Sequence, residues 1–89
     1  MIVTAELSLY PLTENYEGCI IAFIQKLKSK EGIQVHTHAM STFVKGESSN
    51  VFSAIDNALQ AANGKVETLS LVIKVLTRDL PVEQGFLEF

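Results

Sequence analysis

Ile2-Val3-Thr4-Ala5-Glu6-Leu7-Ser8-Leu9-Tyr10, closed by Pro11-Leu12, is the stretch whose reading decides the fold. Val3, Ala5, Leu7 and Leu9 are apolar, whereas Thr4, Glu6, Ser8 and Tyr10 each carry a hydrogen-bonding group. Period-2 alternation of this kind marks a strand with one face on a core and the other turned outward. The outward row holds a carboxylate, two hydroxyls and a phenol. Such a row can be a solvated face, a subunit contact or the lining of a polar site.

Working outward, Thr13 or Asn15 is placed to cap a helix, with Glu14 and Glu17 favourable to its dipole. Tyr16, Ile20, Phe23, Ile24 and Leu27 form one helical stripe, so a helix is expected from about Glu14 to Glu31, with Gly32 as its C′ residue. Ile33 to Ala39 alternates again, Met40-Ser41-Thr42 interrupts, and Phe43 to Gly46 resumes as a third strand. Strands this close in sequence make a hairpin with its tip near Ala39–Thr42. Ser48 or Ser49 is expected to cap a second helix carrying Val51, Ile55, Ala58, Leu59 and Ala62, ended by Asn63-Gly64. A fourth strand follows with Leu69, Leu71, Ile73 and Val75 on one side, broken by Arg78-Asp79-Leu80-Pro81. The order β-α-β-β-α-β is the ferredoxin-like α+β sandwich: a four-stranded antiparallel sheet with two helices on one face. We expect a single domain over residues 1–89, with residues 80–89 as a tail. That tail, with Leu80, Val82, Phe86, Leu87 and Phe89, is apolar enough to dock on a neighbouring surface such as another subunit.

Composition narrows the function. The formal net charge is −3 and only seven Lys and Arg are present, too few for the basic stripe of a nucleic-acid binder. Hydrophobic residues make up 47%, much for a core this small, which argues for subunit contacts. The single Cys19 cannot form an internal disulfide and sits in a helical stripe, which fits a packed thiol and a reducing cytoplasm. The chain opens directly on a strand pattern, so neither a secretory leader nor a membrane span is expected.

Topology gathers residues that the sequence scatters. If the first strand ends at the top of the sandwich, the first helix starts there. The Met40-Ser41-Thr42 tip and the Asn63-Gly64-Lys65 segment reach the same end. Hydroxyls, a Tyr, a Met and free helix N–H groups would meet at such a place. Gly18, one turn into the first helix, suits a close approach of backbone or ligand, or is a tolerated glycine near a helix start. His36 and His38 share a strand face, but a metal needs at least one more ligand, and Glu6 is the only obvious one, so no metal site is expected. Neither a nucleophile elbow nor a glycine-rich phosphate loop is present, and catalysis is not expected.

Ala5-Glu6-Leu7-Ser8-Leu9-Tyr10-Pro11-Leu12, together with Ala39-Met40-Ser41-Thr42 and Gly46-Glu47, resembles the YkoF-like family of thiamine-binding proteins. The similarity runs nearly the whole chain, to about Arg78-Asp79; the sequence departs at Ser41, where glycine is common. The resemblance implies a ferredoxin-like fold, subunits associated as homodimers or homotetramers through their open sheet faces, and binding of thiamine or its hydroxymethylpyrimidine half as ligand rather than as cofactor. The candidate ligand-binding residues are Glu6, Ser8, Tyr10, Met40, Ser41 and Thr42. An aminopyrimidine offers an amine donor and ring acceptors that hydroxyls and carboxylates can pair with. A thiazolium cation suits Glu6 or the face of Tyr10. The alternatives are a structural or regulatory module whose outward face serves only as an interface and, more remotely, an enzyme using Glu6 as a base.

Overall fold

The computed structural model describes residues 1–14 and 16–82. Six elements follow one another: β1 (Ile2–Pro11), α1 (Glu17–Lys28), β2 (Ile33–Thr37), β3 (Thr42–Glu47), α2 (Ser48–Asn63) and β4 (Leu69–Leu76). The strands form one sheet in the order β2-β3-β1-β4, every neighbouring pair antiparallel. This is the ferredoxin-like α+β sandwich expected from the element order.

Alternation along β1 creates the core. Val3, Ala5 and Leu7 point to the helices and are buried, joined by Val44 of β3. From α1 come Cys19, Phe23 and Leu27, each one turn after the last, and from α2 Val51, Ala54, Ile55, Ala58 and Ala62. The small residues of α2 let the helices approach closely, while Phe23 fills the centre. Burial of Phe23, Leu7 and Leu27 stabilises the fold by about 1.5–3 kcal/mol per side chain. Cys19 is a packed thiol in this stripe, and its burial pushes the pKa up from the ordinary 9.0.

Several boundaries differ from the sequence reading. α1 starts at Glu17 after Tyr16 as N-cap, without a side-chain capping bond, and ends at Lys28. Thr13 therefore lies too early to cap it, and Asn15 lies outside the described residues. Tyr16 is exposed, because the buried stripe runs through Cys19 and Leu27 rather than through the helix entry. Gly32 is not the helix C′ residue: Ser29 is the C-cap, and Gly32, at φ 83°, turns the chain into β2. A side chain there is strained, and Asn50 also stands 3.2 Å from where its Cβ would be. Glu47, in extended conformation, is the N-cap of α2, so Ser48 and Ser49 fall inside the first turn. β2 ends at Thr37, two residues short of Ala39, because the His38 N–H bonds the Ser41 carbonyl at 2.8 Å and closes the hairpin loop.

The start of the tail folds back on its own chain. Residues Arg78–Val82 cross the outer face of the sheet, and Val82 is buried there. Phe86, Leu87 and Phe89 lie outside the described residues. Among the described residues, no helix is long and apolar enough to cross a membrane.

Candidate functional site

Strand register builds the outer face in cross-strand rows. Glu6 pairs with Phe43 on one side and Lys74 on the other, and Phe43 pairs with His36. Paired residues share a face, so His36, Phe43, Glu6 and Lys74 form one row. The next row is Gln34, Lys45, Thr4 and Leu76. Beyond Arg78 the chain forms a strap over this second row. The Thr4 hydroxyl donates to the Arg78 carbonyl at 2.7 Å and accepts from the Leu80 N–H at 3.1 Å. The Lys45 ammonium donates to the Leu80 carbonyl at 2.9 Å and pairs with Asp79 at 2.8 Å. His38 Nε2 lies 3.1 Å from the Val82 carbonyl, which makes that nitrogen the protonated donor. Thr4, half of a plain alternation in the sequence, is buried by the chain's own strap.

Between strap and sheet lies a cleft of about 510 Å³. Its size falls within the range typical of small-molecule sites, about 300–1,000 Å³. Leu80, Pro81 and Val82 form one wall, Phe43 and His38 another, with Glu6, Lys74 and Leu76 along the sheet. The His38 and Phe43 rings are 4.7 Å apart and tilted by 52°, a favourable offset aromatic contact. The Ser41 hydroxyl donates to Glu6 Oε2 at 3.0 Å, while Lys74 Nζ stands 3.7 Å from Oε1. Lys74 is well exposed and its pair with Glu6 is weak. The serine bond is therefore the stronger constraint on where the carboxylate points. A mostly apolar slot with one oriented carboxylate suits a flat heteroaromatic ligand carrying a donor group.

Of the six candidate residues, the fold brings Glu6 and Ser41 together. Ser8 follows Glu6 on the same face, opposite Val72, and does not line the cleft. Tyr10 is exposed at the end of β1, opposite Ser70. Met40, at the hairpin tip, is 92% exposed. Thr42 pairs with Leu7 on the helix side and is only 6% exposed. Sequence reasoning missed Phe43, Lys74 and the Leu80–Val82 wall, and weighed His38 as a solvated or interface histidine or a metal ligand, not as part of a cleft. Phe43 and Lys74 become visible once the strand register is known, since they flank Glu6. Phe43 also stands between His36 and Glu6 in their row. Among the described residues, no group of three or more His, Cys, Asp or Glu side chains is placed to hold a metal.

The top of the sandwich holds a second cleft, of about 530 Å³, between Leu12-Thr13 and Gly64–Glu67. It is separate from Glu6 and Ser41. Gly18 has open space where a Cβ would stand, so its position is not set by a close neighbour in the fold.

The family model for the thiamine-binding protein family matches residues 5–83, a span that takes in most of β1, both helices and the strap. The chain belongs to the thiamine-binding protein family. Among curated proteins no match was found. Solved structures show the same fold at low identity. A Streptococcus pneumoniae protein superposes with a TM-score of 0.81 at 18% identity, covering 90% of each chain. A hypothetical protein of Methanocaldococcus jannaschii does so at 0.77 and 24%, covering 88% of this chain and 81% of its own. A Thermotoga maritima protein with a provisional thiamine biosynthesis/salvage assignment matches at 0.77 and 18%, covering 88% and 85%.

Proposed function

We propose that this member of the thiamine-binding family holds thiamine, or its hydroxymethylpyrimidine half, in the cleft under the strap, and releases it unchanged. The observation that carries this reading is the Glu6 carboxylate, oriented by Ser41 beside the Phe43–His38 ring pair. In the proposed pose the pyrimidine lies between these rings and the Leu80–Val82 wall. Its exocyclic amine donates to Glu6, a charge-assisted bond of the stronger kind. The thiazolium then projects towards the open side of the cleft.

Family membership supports a thiamine-related role and favours binding over turnover. Among the described residues, Glu6 is the one carboxylate lining the cleft, and the Ser41 hydroxyl beside it is held in a hydrogen bond to that carboxylate. A carrier, buffer or sensor working in the cytoplasm as an oligomer follows from this reading, with the lone reduced Cys19 in keeping with that compartment. Calorimetric titration with thiamine and with hydroxymethylpyrimidine tests it. Saturable binding of both ligands is expected, with each recovered intact. The absence of heat and of any thermal shift at millimolar ligand would exclude the proposal, and turnover of bound ligand would replace it with an enzyme.

A further inference from the structure

β4 reads Leu-Ser-Leu-Val-Ile-Lys-Val-Leu, and Lys74 is its one charged residue. Register sets that lysine directly opposite Glu6, on the face that carries the cleft. Its ammonium stands 3.7 Å from Glu6 Oε1, while Ser41 holds Oε2. An exposed pair of this kind adds little to stability. The positive charge nevertheless stays at the cleft wherever the flexible side chain turns. Among the described residues, no second carboxylate lines the cleft. The strap's own carboxylate, Asp79, is paired with Lys45 at 2.8 Å. Tyr10, the aromatic face that the sequence offered to a cation, does not line the cleft, and the Phe43 and His38 rings lie against each other. A cation entering the cleft therefore meets one carboxylate, already matched by an ammonium.

We infer that Lys74 is a specificity-determining residue, which sets this cleft against permanently cationic ligands and in favour of neutral heteroaromatic amines. The inference rests on the ligand-binding reading above and sharpens the class of ligand. In thiamine a single methylene joins the pyrimidine to the thiazolium. A pyrimidine amine bonded to Glu6 therefore keeps the cation within about one Debye length of Lys74, roughly 8 Å at physiological ionic strength. Attraction to Glu6 and repulsion from Lys74 then largely cancel. The cation also gives up water on entering a mostly apolar slot, and gains no unmatched charge in return. A neutral ring of the same shape makes the same contact with Glu6 and pays neither cost. Lys74 thus discriminates by charge, where the walls formed by Phe43 and Leu80–Val82 discriminate by shape.

The test compares thiamine with an isostere in which a neutral thiophene replaces the thiazolium, titrated calorimetrically against the full chain at low salt. The wild type should hold the neutral isostere about three- to tenfold more tightly than thiamine, and the gap should shrink at about 0.5 M salt. Lys74→Met keeps the apolar stem and removes the charge. It should tighten thiamine by a similar factor, change the isostere by less than about twofold and so close the gap. Lys74→Arg should keep the gap open, because it keeps the charge. Both variants should melt with the wild type, since Lys74 is well exposed. A wild type that binds thiamine at least as tightly as the isostere would overturn the inference. So would a Lys74→Met variant that keeps the gap, or that weakens both ligands alike. In each of these cases ligand is bound and the binding reading stands, whereas failure of both ligands to bind the wild type would remove that reading and the inference with it.

Discussion

Glu6 is the residue on which the proposed function turns, because its neighbours determine what its charge can do. Ser41, 35 residues later in sequence, donates to one oxygen, and Lys74 stands opposite the other. Loss of a charge-assisted hydrogen bond costs about 1.5–3 kcal/mol and loss of a neutral one about 0.5–1.5 kcal/mol. Glu6→Gln should therefore weaken thiamine by about ten- to a hundredfold, and Ser41→Ala, which removes the bond that orients Glu6 and none to the ligand itself, by less, about two- to tenfold. Both variants should keep the wild-type melting temperature within a degree or two, since Glu6 is partly exposed and its bond to Ser41 lies near the surface. Unchanged affinity in Glu6→Gln would place the ligand elsewhere, with the cleft at the top between Leu12 and Glu67 the next candidate. Glu6 was legible in the sequence as the boundary of a polar row. Its partner Ser41 was legible only as part of a motif, and Thr42 beside it faces the helices, because adjacent strand residues point to opposite sides.

At the scale of elements, the four strands and two helices could be read from periodicity and turn residues, since β1, β3 and both helices carry buried residues at regular spacing, and β2 and β4 set Ile33, Val35, Leu69 and Leu71 against that core. The helix entries could not: neither helix uses a side-chain cap, so the Thr13, Ser48 and Ser49 signals marked places the backbone passes without using. The strap was the least legible element. Its apolar residues announced docking, but the surface they meet is defined by Thr4, Lys45 and His38, which belong to three different parts of the chain. Thr4 holds the strap with one hydroxyl that both donates and accepts. Thr4→Val keeps the shape, removes both bonds and leaves the Leu80 N–H without its partner, at a cost of about 1–3 kcal/mol. Hydrogen exchange at the Leu80 amide should accelerate by about tenfold or more, while the amides of α2 remain protected. Equal Leu80 exchange in variant and wild type would show that the strap is held by other contacts.

At the scale of the whole molecule, the two faces of the sheet divide the work. The helix-side face supplies stability through the cluster around Phe23, and the outer face, freed from that task, carries the cleft. Cys19 gives this division a measurable signature. Its folded-state pKa is raised, so above the ordinary value of 9.0 the unfolded thiol ionises while the buried one stays neutral. The unfolded state gains, and stability falls as pH rises through that value; below it the group contributes no pH dependence. Between about pH 8.5 and 10.5, the urea midpoint of the wild type should fall more steeply than that of Cys19→Ala. Parallel profiles would mean that Cys19 is not shielded from water. Ligand binding belongs to the outer face, and amide chemical-shift mapping during a thiamine titration reports on that face residue by residue. The largest shifts are expected at Glu6, His38, Phe43, Lys74 and Leu80, with Cys19, Phe23 and Ala58 unmoved. Shifts confined to Leu12, Thr13 and Gly64–Glu67, or none at saturating thiamine, would contradict it.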